Sequence, residues 1–192
     1  MSKAPKRRSG RLQFLLIACA FLGPLVLATW LYFQGDPLLP EGRTNHGDLL
    51  EPILSLVEAL PTASIHAQHD RSWLLLYINI DLCDESCLDA LYTMRQSRLM
   101  LGKEMDRLKR VFLHGSSPPD TVFLANEHQG LITIKDSSLT DLLNKKRPAR
   151  LSAGGYFLID PLGNLVMYFR PDIEPSDMVA DIKRLLKLSR IG

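Results

Sequence analysis

Trp73-Leu74-Leu75-Leu76-Tyr77-Ile78-Asn79-Ile80, followed closely by Cys83-Asp84-Glu85-Ser86-Cys87, is the stretch that decides the fold. A nearly unbroken apolar run of this length reads as a central strand buried on both faces. Beyond the second cysteine the period changes. Leu88, Leu91, Met94, Leu99, Leu101 and Leu108, with Arg95 and Arg98 among them, give a helix with one mainly apolar side. The spacing predicts a helix from Ser86 to about Lys109, with Lys103, Arg107, Lys109 and Arg110 favouring its C-terminal dipole. Gly102 weakens it by ~1 kcal/mol relative to alanine. Strand, two cysteines, helix is the arrangement of a thiol site at a helix N-terminus.

Downstream, Arg110 to His114 is a second short strand and Gly115 to Asp120 a loop. Thr121–Leu124 and Leu131–Ile134 are apolar pieces on either side of Asn126-Glu127-His128-Gln129-Gly130. Ser137 suits the N-cap of a short helix over Leu139–Lys146. The basic cluster at its end, Lys145, Lys146, Arg147 and Arg150, reads as dipole complementation on a solvated face in preference to an anion site. Gly155–Asp160 is a strand, Pro161-Leu162-Gly163-Asn164 a turn, and Leu165–Phe169 the returning strand of a β-hairpin. Ser176 caps a last helix whose apolar face is Val179, Ile182, Leu185 and Leu186. A β–α–β crossover makes the first two core strands parallel. With the antiparallel hairpin and terminal helix, this is an α/β sandwich of thioredoxin-like layout.

Upstream, the chain carries a net charge of +2 over 192 residues, unevenly placed. Lys3, Lys6, Arg7, Arg8 and Arg11 crowd the first positions, and the remainder is mildly acidic, so nothing suggests a nucleic-acid partner. Leu12 to Phe33 then runs without a charge, enough to cross a hydrocarbon core of ~30 Å as a helix. Trp30, Tyr32 and Phe33 at its far end suit an interfacial belt, and the basic flank puts the N-terminus in the cytoplasm. A cleavable signal peptide would have a shorter apolar core, of ~7–15 residues, and a small-residue cleavage site. A retained anchor is therefore the favoured reading. The organisation expected is a cytoplasmic basic tip over 1–11, a single transmembrane anchor over 12–33, a tether over 34–52 and a thioredoxin-like domain over 53–192. The tether is rich in proline and glycine, and its Thr44-Asn45-His46-Gly47 reads as a turn. Ile53–Leu60 fits a short strand or a helical turn. Ser64–His69 reads as a strand or loop, which leaves His66 and His69 as solvated loop histidines rather than a metal pair.

Of three cysteines, Cys19 falls in the anchor, so Cys83 and Cys87 are the only pair in the globular part. One pair is no disulfide scaffold and too few ligands for an all-cysteine zinc site. On a helix, residues i and i+4 hold their Cβ atoms ~5–6 Å apart, whereas a disulfide needs ~3.8 Å, so closure requires Cys83 to sit in the turn. A helix start stabilises a thiolate, while Asp84 and Glu85 oppose it. Two thiolates are also soft ligands suited to Cu(I). The competing reading is a purely structural disulfide or two inert buried thiols.

The apolar strand, the C-x-x-x-C of Cys83 and Cys87, the long helix, and Tyr156-Phe157-Leu158-Ile159-Asp160-Pro161-Leu162-Gly163 together resemble the SCO/SenC family. Thr44-Asn45-His46-Gly47, Met94-Arg95-Gln96 and Leu101-Gly102-Lys103-Glu104 look like the small SCO-like proteins of proteobacteria. The resemblance spans about residues 44–190. It implies a membrane-anchored, thioredoxin-like protein of cytochrome c oxidase assembly, with Cys83 and Cys87 as redox-active and copper-ligating cysteines. The family's metal histidine has no counterpart: counting back from Asp160 reaches Ser152 and Ala153, and no histidine follows His128. The proline that usually follows the second cysteine is Leu88 here. His114 at the end of the second core strand is a weak substitute ligand.

The implied function is a periplasm-facing accessory factor acting by thiol–disulfide exchange, with Cu(I) handling as a variant. An oxidase subunit or another assembly factor would be the partner. As an enzyme it would be a thiol–disulfide oxidoreductase. The alternative is a non-catalytic partner-binding module with a structural disulfide.

Overall fold

The computed structural model describes residues 10–33, 45–117, 120–147 and 154–189. The basic residues Lys3, Lys6, Arg7 and Arg8, most of the tether, Arg150, and Ser152 with Ala153 lie outside the described residues. The chain divides into two units, Met1–Arg43 and Thr44–Gly192. In the first, α1 (Gly10–Phe33) is one helix through Pro24. Its Leu12–Leu31 stretch is long and apolar enough to cross a membrane.

The second unit is built on a six-stranded mixed sheet. Its elements run β1 (Asp48–Ser55), α2 (Leu56–Ala59), α3 (His66–His69), β2 (Trp73–Asn79), α4 (Glu85–Met100), a 3-10 segment (Gly102–Arg107), β3 (Leu108–His114), α5 (Thr121–Glu127), β4 (Leu131–Ile134), α6 (Ser137–Lys146), β5 (Tyr156–Ile159), β6 (Asn164–Phe169) and α7 (Pro175–Leu188). The strand order is β1-β6-β5-β2-β3-β4. β2 pairs parallel with β3, in register Trp73 with Leu108 through Asn79 with His114. On its other side β2 pairs antiparallel with β5, and β5 with β6.

Period-two alternation along β2 divides the core. Trp73, Leu75 and Tyr77 join α4 and α7 on one face, with Leu91, Met94, Phe112 and Ile182. Leu74, Leu76 and Ile78 face the opposite layer, with Leu139 and Leu143 of α6 and with Leu56 and Ile65. The expected α/β thioredoxin-like sandwich, with β2 buried on both faces, is the observed fold.

Several local expectations are corrected. The stretch read as tether enters the sheet at Asp48. β1 is an edge strand, where Pro52 removes no interior ladder bond, and its register with β6 shifts between Leu49 and Leu54. Ile53–Leu60 is both of its alternatives in turn, strand through Ser55 and then helix. Ser64–His69 is neither strand nor loop throughout, because His66–His69 is a single helical turn. His66 spends its Nε2 on Leu60 O at 2.7 Å. The long helix stops at Met100. Gly102 takes φ +62°, the left-handed residue after a helix C-cap, so it ends the helix instead of merely weakening it. Lys109 is consequently a strand residue. Asp136, not Ser137, caps α6, accepting from Leu139 N–H at 3.0 Å. α7 begins with Pro175 at its first turn, without a side-chain cap from Ser176.

Candidate functional site: a disulfide at the start of α4

The loop from β2 to α4 is set by local bonds. Asn79 Oδ1 accepts from Asp81 N–H at 3.0 Å, and Asn79 O accepts from Gly115 N–H at 3.1 Å. Gly115 is required here, since a Cβ would collide with the Ile80 carbonyl. Asp84 is the N-cap of α4 and accepts from Cys87 N–H at 3.1 Å and from the Ser86 hydroxyl at 2.7 Å. Cys83 thus stands one residue before the cap, in the turn, and Cys87 in the first helical turn. Their sulfurs are bonded, with Cα atoms 5.1 Å apart. This is the turn-plus-helix placement that closure of an i, i+4 pair requires.

The two sulfurs differ in environment. Cys87 is fully buried in the α4 face of the core, whereas Cys83 is half-buried and packs against that cluster. The neighbouring surface sets Ile80 and Leu82, 52% and 73% exposed, among the exposed polar side chains of Asp81, Asp84, Glu85 and Ser86. The Ser86 hydroxyl, then the Cys87 N–H, hold the exposed Asp84 carboxyl below the usual carboxylate range. Asp84 is therefore charged at neutral pH and opposes any negative charge on Cys87. Beside this turn lies a cleft of about 490 Å³, lined in part by Tyr77, Asp84, Ser86, Asn144 and Arg147. Burial, with Asp84 adding to it, pushes the Tyr77 hydroxyl up to about 12, so it stays a neutral phenol at neutral pH. Its ring stacks on Phe112 with centroids 5.8 Å apart and packs near Tyr156 at 5.4 Å.

Cys83 and Cys87 are therefore brought together. His114 is not gathered with them. It ends β3 with Nδ1 2.8 Å from Gly115 O and its ring against Phe112. No group of three or more histidine, cysteine or acidic side chains placed to hold a metal occurs among the described residues. Bonded to each other, the two sulfurs offer no thiolate to a metal; only the reduced pair would. Tyr77, Ser86 and Arg147 were missed as neighbours of the site. Only the N-cap pattern of Asp84 and Ser86 could have flagged one of them in the sequence.

A cysteine pair spanning the N-cap of the helix that follows the central strand defines a thiol-bearing domain of the thioredoxin-like class. Residues 73–189 match the family model described as transmembrane-like, thioredoxin-like, C-terminal domain, and residues 4–35 match its companion, the transmembrane-like N-terminal domain. The chain belongs to this family. No curated protein matches it in sequence. Among solved structures it is similar to apo Sco1 from Thermus thermophilus, at 18% identity over 62% of this chain and 82% of that one, with TM-score 0.50. Yeast Sco1 with copper bound matches at 17% identity over 63% and 79%, with TM-score 0.50. Arabidopsis thaliana ScoI with copper bound matches at 15% identity over 64% and 89%, with TM-score 0.51. At such identities the likeness is one of fold, and the fold is SCO-like, as the sequence resemblance implied.

Proposed function

We propose that this chain is a membrane-anchored thiol–disulfide exchange factor of cytochrome c oxidase assembly. Its domain faces the periplasm, and it acts on the cysteines of an oxidase subunit or another assembly factor. The observation that carries the reading is the asymmetry of the Cys83–Cys87 bond at the start of α4, one sulfur reachable and one buried. A partner thiolate attacks Cys83 Sγ, and the bond to Cys87 Sγ breaks with its electron pair leaving on Cys87. A second partner thiolate then attacks the partner's own sulfur in the mixed disulfide and releases Cys83. The partner gains a disulfide, and this chain gains two electrons and, on protonation, two thiols. The reverse sequence reduces a partner when the pair begins as a dithiol. Ile80 and Leu82 offer an apolar seat for the partner segment beside Cys83.

Cu(I) enters this proposal as cargo. The reduced pair supplies two soft sulfurs, and two donors alone make a labile site suited to transfer. The basic tip ahead of α1 supports an N-terminus on the cytoplasmic side.

The test is a redox titration of the purified chain, combined with Cys87→Ser trapping of mixed disulfides and a Cu(I) titration of the reduced form. Exchange predicts a trapped adduct through Cys83 and a potential above ~−300 mV. A lower potential with neither adduct nor copper uptake would leave the non-catalytic module with a structural disulfide.

A further inference from the structure

A second cleft, of about 390 Å³, lies where the later turns of α4 meet β3 and the α5–β4 connection. It is lined by Arg95, Arg98, Arg110, Asn126, Glu127 and Gln129, with Leu99. Arg95 follows Cys87 by two helical turns, ~12 Å along the axis, so this is not the thiol site.

Arg110 lies between Leu108 and Phe112 on the strand face that α4 covers, and it is only 4% exposed. One terminal nitrogen donates to Gln129 O at 2.6 Å. Nε and the other terminal nitrogen are buried without a partner among the described residues. The carboxylates here go to the other arginines: Glu127, in the same cleft, pairs with Arg95 at 3.2 Å and Asp106 with Arg98 at 3.1 Å, and neither bonds Arg110. Burial first, then Arg98 and Arg95, press the Arg110 pKa down to about 10. His128, buried beside it with Nδ1 also unpartnered, is held below its ordinary value by burial and then by Arg110, so it adds no charge near neutral pH.

A buried guanidinium without a counter-charge is costly, and the usual remedy is a charge-assisted, two-pronged bond to an oxyanion. Phosphate suits the position better than a carboxylate. Its tetrahedral oxygens can accept from Arg110 and from the flanking guanidinium groups in different directions at once, whereas a carboxylate has two oxygens in one plane. We propose that this cleft is a phosphate-binding site, with Arg110 at its buried end and Arg95 and Arg98 at its mouth. The phosphate is either free or the headgroup of an anionic lipid, the latter suggested by a Leu12–Leu31 helix long and apolar enough to cross a membrane.

The experiment uses the full chain in detergent, titrated with sodium phosphate at constant ionic strength against sodium chloride. Wild type gains a saturable rise in melting temperature of roughly 3–6 °C at ten times the half-saturating concentration. Arg110→Gln abolishes it. Because that variant alters a buried position, Arg95→Gln is the companion. It keeps the phosphate-free melting temperature and weakens binding several-fold. A second arm compares nanodiscs of phosphatidylcholine with nanodiscs containing phosphatidylglycerol. A headgroup source appears as stabilisation and an Arg110 Nε–H resonance shift only with the anionic lipid, and saturating free phosphate abolishes the difference between the two lipids. The proposal is overturned if phosphate does no more than chloride and phosphatidylglycerol no more than phosphatidylcholine. It is overturned equally if Arg95→Gln and Arg110→Gln bind as wild type does.

Discussion

Replacing Asp181 by alanine should loosen the end of the domain from which the chain leaves toward α1. Asp181 lies on α7 and is 2% exposed, and its Oδ2 accepts from both His46 N–H and Gly47 N–H at 2.8 Å. Those two amides have no place in the sheet, which begins at Asp48. A hydrogen bond to a charged group contributes ~1.5–3 kcal/mol. The two bonds share one oxygen, so they do not simply add. Gly47 is buried and its amide would be left unsatisfied, whereas half-exposed His46 can recover water. The expected loss is roughly 2–4 kcal/mol, reduced where removing a buried carboxylate relieves its own desolvation. For a chain of this size that is about 5–15 °C in melting temperature. The assay is thermal denaturation followed by circular dichroism, with hydrogen exchange read at the His46 and Gly47 amides. Asp181→Asn keeps a carbonyl oxygen in place and should lose about half as much, ~1–2 kcal/mol. The reasoning is refuted if the alanine variant melts within about 2 °C of wild type and both amides remain as protected as before.

Other perturbations have equally direct outcomes. Gly115→Ala drives a Cβ onto the Ile80 carbonyl, so it should cost ~1–3 kcal/mol in a urea melt and change the reduction rate of the Cys83–Cys87 bond, since the loop bearing Cys83 must move. Gly102→Ala meets no neighbouring atom and loses only the freedom to hold φ +62°, for a cost near 1 kcal/mol with no effect on thiol chemistry. Asp84→Asn keeps the N-cap acceptor but removes a charge that the Ser86 hydroxyl and Cys87 N–H hold ionised; the pair should then be reduced faster by a small thiol at pH 7, whereas an unchanged rate would mean Cys87 does not sense the carboxylate. His128 is held below its ordinary value of about 6.5 by burial and then by Arg110 and Arg95, so the unfolded chain binds the proton more readily. Its contribution is complete above about pH 6.5 and falls away as pH drops toward the folded pKa; His128→Gln should flatten that slope in urea melts across the range.

The parts legible in the sequence are those whose cause is local. β2 declares itself because both its faces are buried, leaving no polar position in Leu74-Leu75-Leu76. The hairpin is readable from turn chemistry: Asp160 Oδ1 accepts from Leu162 and Asn164 N–H, and Gly163 takes φ +84°. The end of α4 was not readable from periodicity, because Leu101 and Leu108 continue the helical spacing past the point where Gly102 turns the backbone. β1 was hidden because an edge strand tolerates Pro52, and its partner β6 lies at the other end of the domain's sequence. α5 was hidden because its N-cap, Asp120, looks like one more loop residue after Pro118-Pro119. Asp181 and Arg110 have the same explanation in sharper form. A carboxylate on the polar side of an apparent helix, or an arginine at the start of a strand, becomes informative only when tertiary contacts show what it faces.

The thiol pair shows how far local reasoning reaches. Spacing alone requires that a bonded i, i+4 pair at a helix start place its first cysteine outside the helix and its second inside. A residue in the turn before the cap borders solvent. A residue in the first turn on the apolar side of α4 joins the core cluster that also holds Tyr77, Met94 and Tyr156. The difference in exposure between Cys83 and Cys87 is therefore a consequence of the C-x-x-x-C spacing once the helix face is fixed. That difference assigns the proposed roles, because an incoming thiolate must travel in line with the bond it breaks and can reach only the outer sulfur. A tightly held ion needs further donors, and among the described residues no third histidine, cysteine or acidic side chain is grouped with the two sulfurs to hold one. The proposed exchange needs nothing at that position except a partner's sulfur, whereas the proposed Cu(I) cargo needs the pair reduced.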